Sequence, residues 1–153
     1  MTLTLAVVSN SCTFTRNFDA MTIQEFFKAD RYASLSGVEL ISAEQGRAKA
    51  RMEVRDIHLN SGKMVQGGAI FTLADFAFAV AVNSLGKLAV SIETSIRYFK
   101  SVDSGVLFAD AQLCNLHKRL ATYEVRVTNE ADELIALFTA TAYRKDIALT
   151  FDS

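Results

Sequence analysis

A chain of 153 residues and 16.8 kDa is the size of one domain. Half of it is hydrophobic and 22% is charged, which is too apolar for disorder. Lys and Arg total 16 against 17 Asp and Glu, a net charge of -1, which excludes a general polyanion binder: nucleic-acid proteins carry a basic excess to replace counterions. No charge-free apolar run is long enough for a transmembrane span, so no membrane partner is expected. Cys12 and Cys114 are too few for a disulfide framework or a four-ligand zinc site. Free thiols suit a reducing compartment, and a cytoplasmic location is expected.

Residues 1–20 read as an N-terminal extension ahead of a single domain over 21–153. Their apolar run precedes the first basic residue, Arg16, which is the wrong order for a secretory signal. Over 22–34, Ile23, Phe26, Phe27 and Tyr32 form an apolar stripe at helical spacing, and Thr22 with Glu25 makes a capping-box pair. Residues 37–43 and 46–54 predict two strands around a Glu44-Gln45-Gly46 turn. In the second, Ala48, Ala50, Met52 and Val54 alternate with charged residues, the pattern of a half-buried hairpin. After a loop from His58 to Met64, the stretch from Gly67 to Ser84 predicts one long helix, apolar on every face and therefore buried. From residue 88 the period becomes two. Runs at 88–100, 105–116, 119–129 and 133–144 are joined by Asp103-Ser104-Gly105, His117-Lys118 and Asn129 to Asp132. Short turns between consecutive strands predict an antiparallel meander. The expected class is α+β: an antiparallel sheet of five to six strands curled round one buried helix, an order that resembles the hotdog fold.

Asp75 stands in the middle of the apolar helix, within Leu73-Ala74-Asp75-Phe76. Burying an ionised carboxylate costs several kcal/mol, roughly, so it must be paired, face a cavity or take a proton. Eight residues from Gly67, it lies beyond the turn in which a helix dipole favours an anion. Gln66-Gly67-Gly68 opens the same helix. Free N–H groups there can hold a developing oxyanion, and glycine lets a substrate approach the backbone. Asn60 offers an amide to orient a water or carbonyl, and His58 a base, although loop histidines are more often structural. Ser91, on the strand after the helix, could hold a water. Neither His58 nor His117 has a metal-ligand neighbour at useful spacing, and the nucleophile-elbow, dinucleotide and phosphate-loop patterns are absent, so no metal or cofactor is expected.

Together, the run from His58 through Asn60, Gln66-Gly67-Gly68 and Leu73-Ala74-Asp75 resembles the signature of hotdog-fold acyl-CoA thioesterases, in particular the phenylacetic acid degradation (PaaI-like) group. That group places an Asn six residues before a His-Gly-Gly motif and an Asp nine residues after the motif begins; here Asn60, Gln66 and Asp75 keep that spacing. The likeness runs from about residue 36 to 145, through Val90-Ser91-Ile92-Glu93-Thr94 and the last strands. It implies hydrolysis of an acyl- or aryl-CoA to free CoA and a carboxylic acid. Asp75 would be base or nucleophile, the Gly68 N–H the carbonyl donor, Asn60 a positioning group and Ser91 a water holder. Gly67, His58, Phe76 and Thr94 would line the substrate. The resemblance also implies a homodimer, or a tetramer of two dimers, with sites at the subunit interface.

The motif histidine is Gln66 here. Glutamine donates a hydrogen bond but cannot become cationic. Gln66 supports the alternative of a non-catalytic acyl-CoA or small-ligand binding protein; a third reading is another hotdog enzyme, a hydroxyacyl dehydratase, which would use a loop histidine such as His58 with the helix acid. CoA is an anion, and Lys63, Arg97, Lys100, Lys118, Arg119, Arg144 and Lys145 are candidates for its phosphates.

Overall fold

The computed structural model describes residues 21–152. The expected extension over residues 1–20 lies outside the described residues. Two short helices come first, α1 (Ile23–Lys28) and α2 (Arg31–Leu35), then strands β1 (Val38–Glu44) and β2 (Arg47–Glu53). A 3-10 turn (Asp56–His58) leads to the long helix α3 (Gly67–Asn83). Strands β3 (Lys87–Tyr98), β4 (Val106–Leu116), β5 (Leu120–Thr128) and β6 (Leu134–Ala148) complete the chain. All six strands form one antiparallel sheet in the order β1-β2-β4-β5-β6-β3. This is the hotdog architecture, with α3 against the concave face. None of the described helices is long and apolar enough to cross a membrane.

Two details depart from the sequence pattern. The single helix expected over 22–34 is broken, because Asp30 caps a second one: its carboxylate accepts from the Ala33 N–H at 3.0 Å. Thr22 and Glu25 do form the capping box of α1. Tyr32, expected on the apolar stripe, is 69% exposed. The second departure is topological. Only β4, β5 and β6 make a meander; β3 pairs with β6 at the far edge, and Asp103-Ser104-Gly105 is no hairpin turn. The Gly105 carbonyl instead accepts from Val54 N–H as the chain returns to β2. Alternation along β3 reports which face is buried, not which strand lies beside it.

The core shows how a single-layer sheet can hold a helix. Where β2, β4, β5 and β6 face α3, they present Ala48, Ala50, Ala109, Ala111, Ala121, Ala140 and Ala142, all at most 2% exposed. Small side chains let the helix approach the strands closely. Phe78 fills the wider part, edge-on to Tyr123 with ring centroids 5.5 Å apart and tilted on Phe138 at 6.1 Å. The end of α3 is fixed by Asn83, 5% exposed, whose side chain donates to Ala79 O and accepts from Ala89 N–H, both within 2.9 Å.

The helix is not buried all round, however. Gly68, Thr72, Asp75 and Ala79 are less covered than their neighbours, and their spacing of three to four makes them one stripe.

Enlarging the alanine floor should be costly. Ala109→Leu is expected to destabilise the fold by about 1–3 kcal/mol through overpacking against α3, read from urea unfolding.

Candidate active site

The loop before α3 is held by its own polar groups. The Asn60 side-chain oxygen accepts from the N–H groups of Gly62 at 2.9 Å and Met64 at 3.2 Å. The Asn60 backbone N–H donates to Met64 O, and Gln66 N–H donates to His58 O, each at 2.8 Å. The amide oxygen of Asn60 is thus engaged in shaping the loop. Its NH₂ makes no hydrogen bond among the described residues.

His58 is 4% exposed, and both ring nitrogens are occupied. Nδ1 accepts from Arg55 N–H at 3.0 Å, so Nε2 carries the proton and donates to Ser36 O at 2.9 Å. The sequence offered His58 as a substrate contact or a base. Both ring nitrogens are engaged in tying the loop to the end of α2, and the residue also borders the cleft lined by Tyr32, Leu35 and Gln66.

Gln66 is the N-cap of α3, and its side-chain oxygen accepts from the Gly68 N–H. The two glycines face different surroundings. A Cβ on Gly67 would come within 3.0 Å of the Tyr98 ring, and the Tyr98 hydroxyl donates to Gly67 O at 2.9 Å. The nearest group to a Cβ on Gly68 would be the Gln66 carboxamide, at 2.6 Å. Clefts lie on both sides of this helix start. One, of about 560 Å³, is lined by Tyr32, Leu35, Ile57, Gln66 and Gly68. The other, of about 430 Å³, is lined by Asn60, Met64, Gly67, Tyr98 and Lys100. Both fall in the size range of small-molecule sites.

Asp75 lies two turns further along, on the open stripe. It is partly buried and accepts no hydrogen bond and no ion pair among the described residues. Desolvation raises its pKa above the ordinary carboxylate value, and the negative charge of Asp30 raises it further. Phe76 points the other way. It is 6% exposed and meets Phe27 edge-on at 5.7 Å, so most of it is core; it also borders a cavity of about 370 Å³ with Phe27, Val38 and Leu40.

Ser91 and Thr94 are three residues apart, which in a regular strand puts them on opposite faces. The register shift between Ser91 and Glu93 inserts Ile92 as a bulge. Ser91 then pairs with Ala142 and Thr94 with Ala140, both fully buried residues of the concave face. Both side chains therefore turn toward that face, yet Ser91 is exposed and Thr94 half-buried. On one chain, β3 runs from the Asn83 end of α3 to the Gly67 end, so Ser91 sits nearer the end of the helix than its start.

The structure thus gathers Asn60, Gln66, Gly67 and Gly68 at the helix start, backed by His58, and leaves Asp75, Ser91 and Thr94 further along. Tyr98 and Asp30 join the site without having been singled out. Tyr98 ends a strand, and only sheet register shows that it meets Gly67; the capping preference of Asp30 was a readable signal. Of the candidate cations, Lys63, Arg97 and Lys100 lie toward the start of α3. Lys118, Arg119, Arg144 and Lys145 lie at the opposite end, where Arg144 pairs across from Ala89. Lys100 is already bonded to Glu133 at 2.5 Å and Arg119 reaches Asp146 at 4.0 Å.

Residues 62–136 match the family model described as Thioesterase superfamily. A protein of Archaeoglobus fulgidus that carries a provisional esterase name is 44% identical over 77% of this chain and 77% of its own. The acyl-coenzyme A thioesterase PaaI of Escherichia coli is 33% identical over 77% of this chain and 85% of its own. The solved structure of E. coli PaaI superimposes with a TM-score of 0.78, at 31% identity over 82% of this chain and 92% of that one. A Streptococcus mutans protein solved with acetyl CoA bound is 30% identical, with a TM-score of 0.68, over 71% of this chain and 88% of its own. With the fold, the helix-start glycines and the half-buried aspartate already in view, these similarities establish that the chain belongs to the thioesterase superfamily of hotdog-fold enzymes, among its PaaI-like members.

Proposed function

We propose that the protein hydrolyses an acyl- or aryl-CoA thioester to free CoA and a carboxylic acid, with Asp75 as base or nucleophile. The observation that carries this reading is Asp75 itself. A half-buried carboxylate with no hydrogen-bond or ion-pair partner among the described residues stands on the less covered stripe of the central helix, where a hydrophobic residue would be more stable. A raised pKa suits a group that must take a proton from water. The N–H of Gly68, two turns earlier on the same stripe, is the donor for the thioester oxygen, and negative charge developing there is stabilised by the helix start. Water attacks the carbonyl carbon, the C–S bond breaks and the thiolate leaves to become CoA. If Asp75 attacks directly, the resulting anhydride is hydrolysed in a second step.

The spacing favours a site completed by two chains. Gly68 and Asp75 are seven residues apart, about 10 Å along the helix axis, which is long for a carbonyl donor and a base acting on the same carbon. The edge of β3 supports this reading. Val90 and Ile92 are 40% and 58% exposed on a strand paired on one side only, the kind of edge that takes up a second copy. The bound acetyl CoA of the S. mutans relative supports CoA as the carrier here. A dehydratase would need a histidine with a free nitrogen, and His58 has none. The binding-protein alternative retains one observation in its favour: the Gly68 N–H is occupied by Gln66.

Hydrolysis of a panel of phenylacetyl, hydroxybenzoyl and short-to-long fatty acyl-CoA thioesters, followed by thiol release, tests the reading. Turnover is expected, rising from acid to neutral pH as Asp75 ionises, and Asp75→Ala and Asp75→Asn should each lower it by about a hundredfold or more. No turnover with any thioester would return the protein to the binding alternative.

The same carboxylate should cost stability. Because its folded pKa is raised above the unfolded value, the folded state binds the proton more tightly, and ionisation favours unfolding. Stability lost to Asp75 therefore appears as pH rises from the ordinary value of 3.8 through the raised one and stays constant above it. Asp75→Asn is expected to be more stable than the native protein at pH 7, with the gap closing toward acid pH, measured by denaturant unfolding.

For the second chain, Val90→Lys with Ile92→Lys should shift sedimentation from dimer or tetramer toward monomer and remove turnover together. Active monomers would refute a shared site.

A further inference from the structure

We propose that the Gln66 carboxamide stands in for the substrate's carbonyl at the Gly68 N–H and must swing aside in each catalytic cycle, an inference that rests on the reading of Gly68 as the thioester-oxygen donor. Three observations converge on this residue. The Gln66 side-chain oxygen accepts from the Gly68 N–H, the same donor the thioester needs. The Gln66 carboxamide is the group that lies against the open face of Gly68, where a Cβ would collide with it. Its backbone is held by the Gln66 N–H to His58 O bond, but the side chain is exposed at the rim of the cleft beside Tyr32, Leu35 and Ile57. A fixed backbone with an exposed side chain lets the carboxamide leave while the helix start stays in place.

The chemistry makes the exchange selective. A carboxamide oxygen is a better hydrogen-bond acceptor than a thioester oxygen, whose sulfur donates little electron density to the carbonyl. Gln66 therefore competes well against the bound ground state. It competes poorly against the oxyanion of the addition step, because a charged acceptor makes the stronger bond. Displacing the carboxamide costs the same whichever oxygen takes its place, so the occupant lowers the affinity of any carbonyl acceptor for this donor, and only the stronger acceptors displace it fully. It also keeps the Gly68 N–H satisfied when no substrate is present.

The test uses two non-hydrolysable CoA analogues in phenylacetyl and hexanoyl versions. In the first a methylene replaces the thioester sulfur and the carbonyl remains as a ketone; in the second that carbonyl is also reduced to methylene. The ratio of their dissociation constants isolates the carbonyl contact. It is measured for the native protein, Gln66→Ala and Gln66→Gly, with the glycine variant keeping a good N-cap residue in case alanine disturbs the helix start. The ketone's advantage is expected to grow by about threefold or more in both variants, the worth of one neutral hydrogen bond. Loss of a merely structural cap would weaken both analogues alike and leave the ratio unmoved. An equal ketone advantage in all three proteins would overturn the proposal while leaving Gly68 as the carbonyl donor. No ketone advantage in any of them, or no binding of either analogue, would overturn the Gly68 reading and the proposal with it.

Discussion

The dominant constraint in this molecule is the burial of one apolar helix by a sheet a single layer thick. A flat sheet covers one side of a helix; covering more requires curvature, and curvature requires small residues on the inside. The alanines of β2, β4, β5 and β6 meet that demand, and Tyr123, Phe138 and Phe78 fill the space that remains. Everything at the site is placed by this wrapping. β3 emerges from the end of α3 at the sheet's far edge, and its last residue, Tyr98, returns to the helix start.

Six strands do not close the circle. The stripe of Gly68, Thr72, Asp75 and Ala79 remains open, and so does the concave side of β3 at Ser91 and Thr94. Among the described residues, a carboxylate without a partner, a less covered strip of helix and an unpaired strand edge are three unmet demands. On the proposed reading a second copy meets all three, and the chemistry occupies the seam.

Local signals in the sequence located most of this fold. The two-residue loop at Gln45-Gly46, the turn at His117 and Lys118 and the alternation of β5 and β6 each describe contacts between neighbours in the chain. The place of β3 was illegible, because the same alternation fits any edge. The break between α1 and α2 is encoded in the capping residue Asp30, which competes with the continuous apolar stripe. At the site, Asp75 announced itself as a charge among apolar residues. The occupation of both His58 nitrogens, the bulge that turns Ser91 and Thr94 to one side and the contact of Tyr98 with Gly67 all depend on residues distant in sequence, and no local pattern encodes them.

The glycine doublet at 67 and 68 looks like one motif but answers to two masters. Gly67 is bounded by the protein's own Tyr98, whose ring would have to shift to admit a methyl group. Gly68 is bounded most closely by the exposed Gln66 side chain, which can rotate away. Drift at the first position is therefore policed by folding and at the second by whatever molecule the helix start receives. A side chain at the first glycine would therefore have to be matched by a change at Tyr98, whereas one at the second would have to be matched by a change at Gln66.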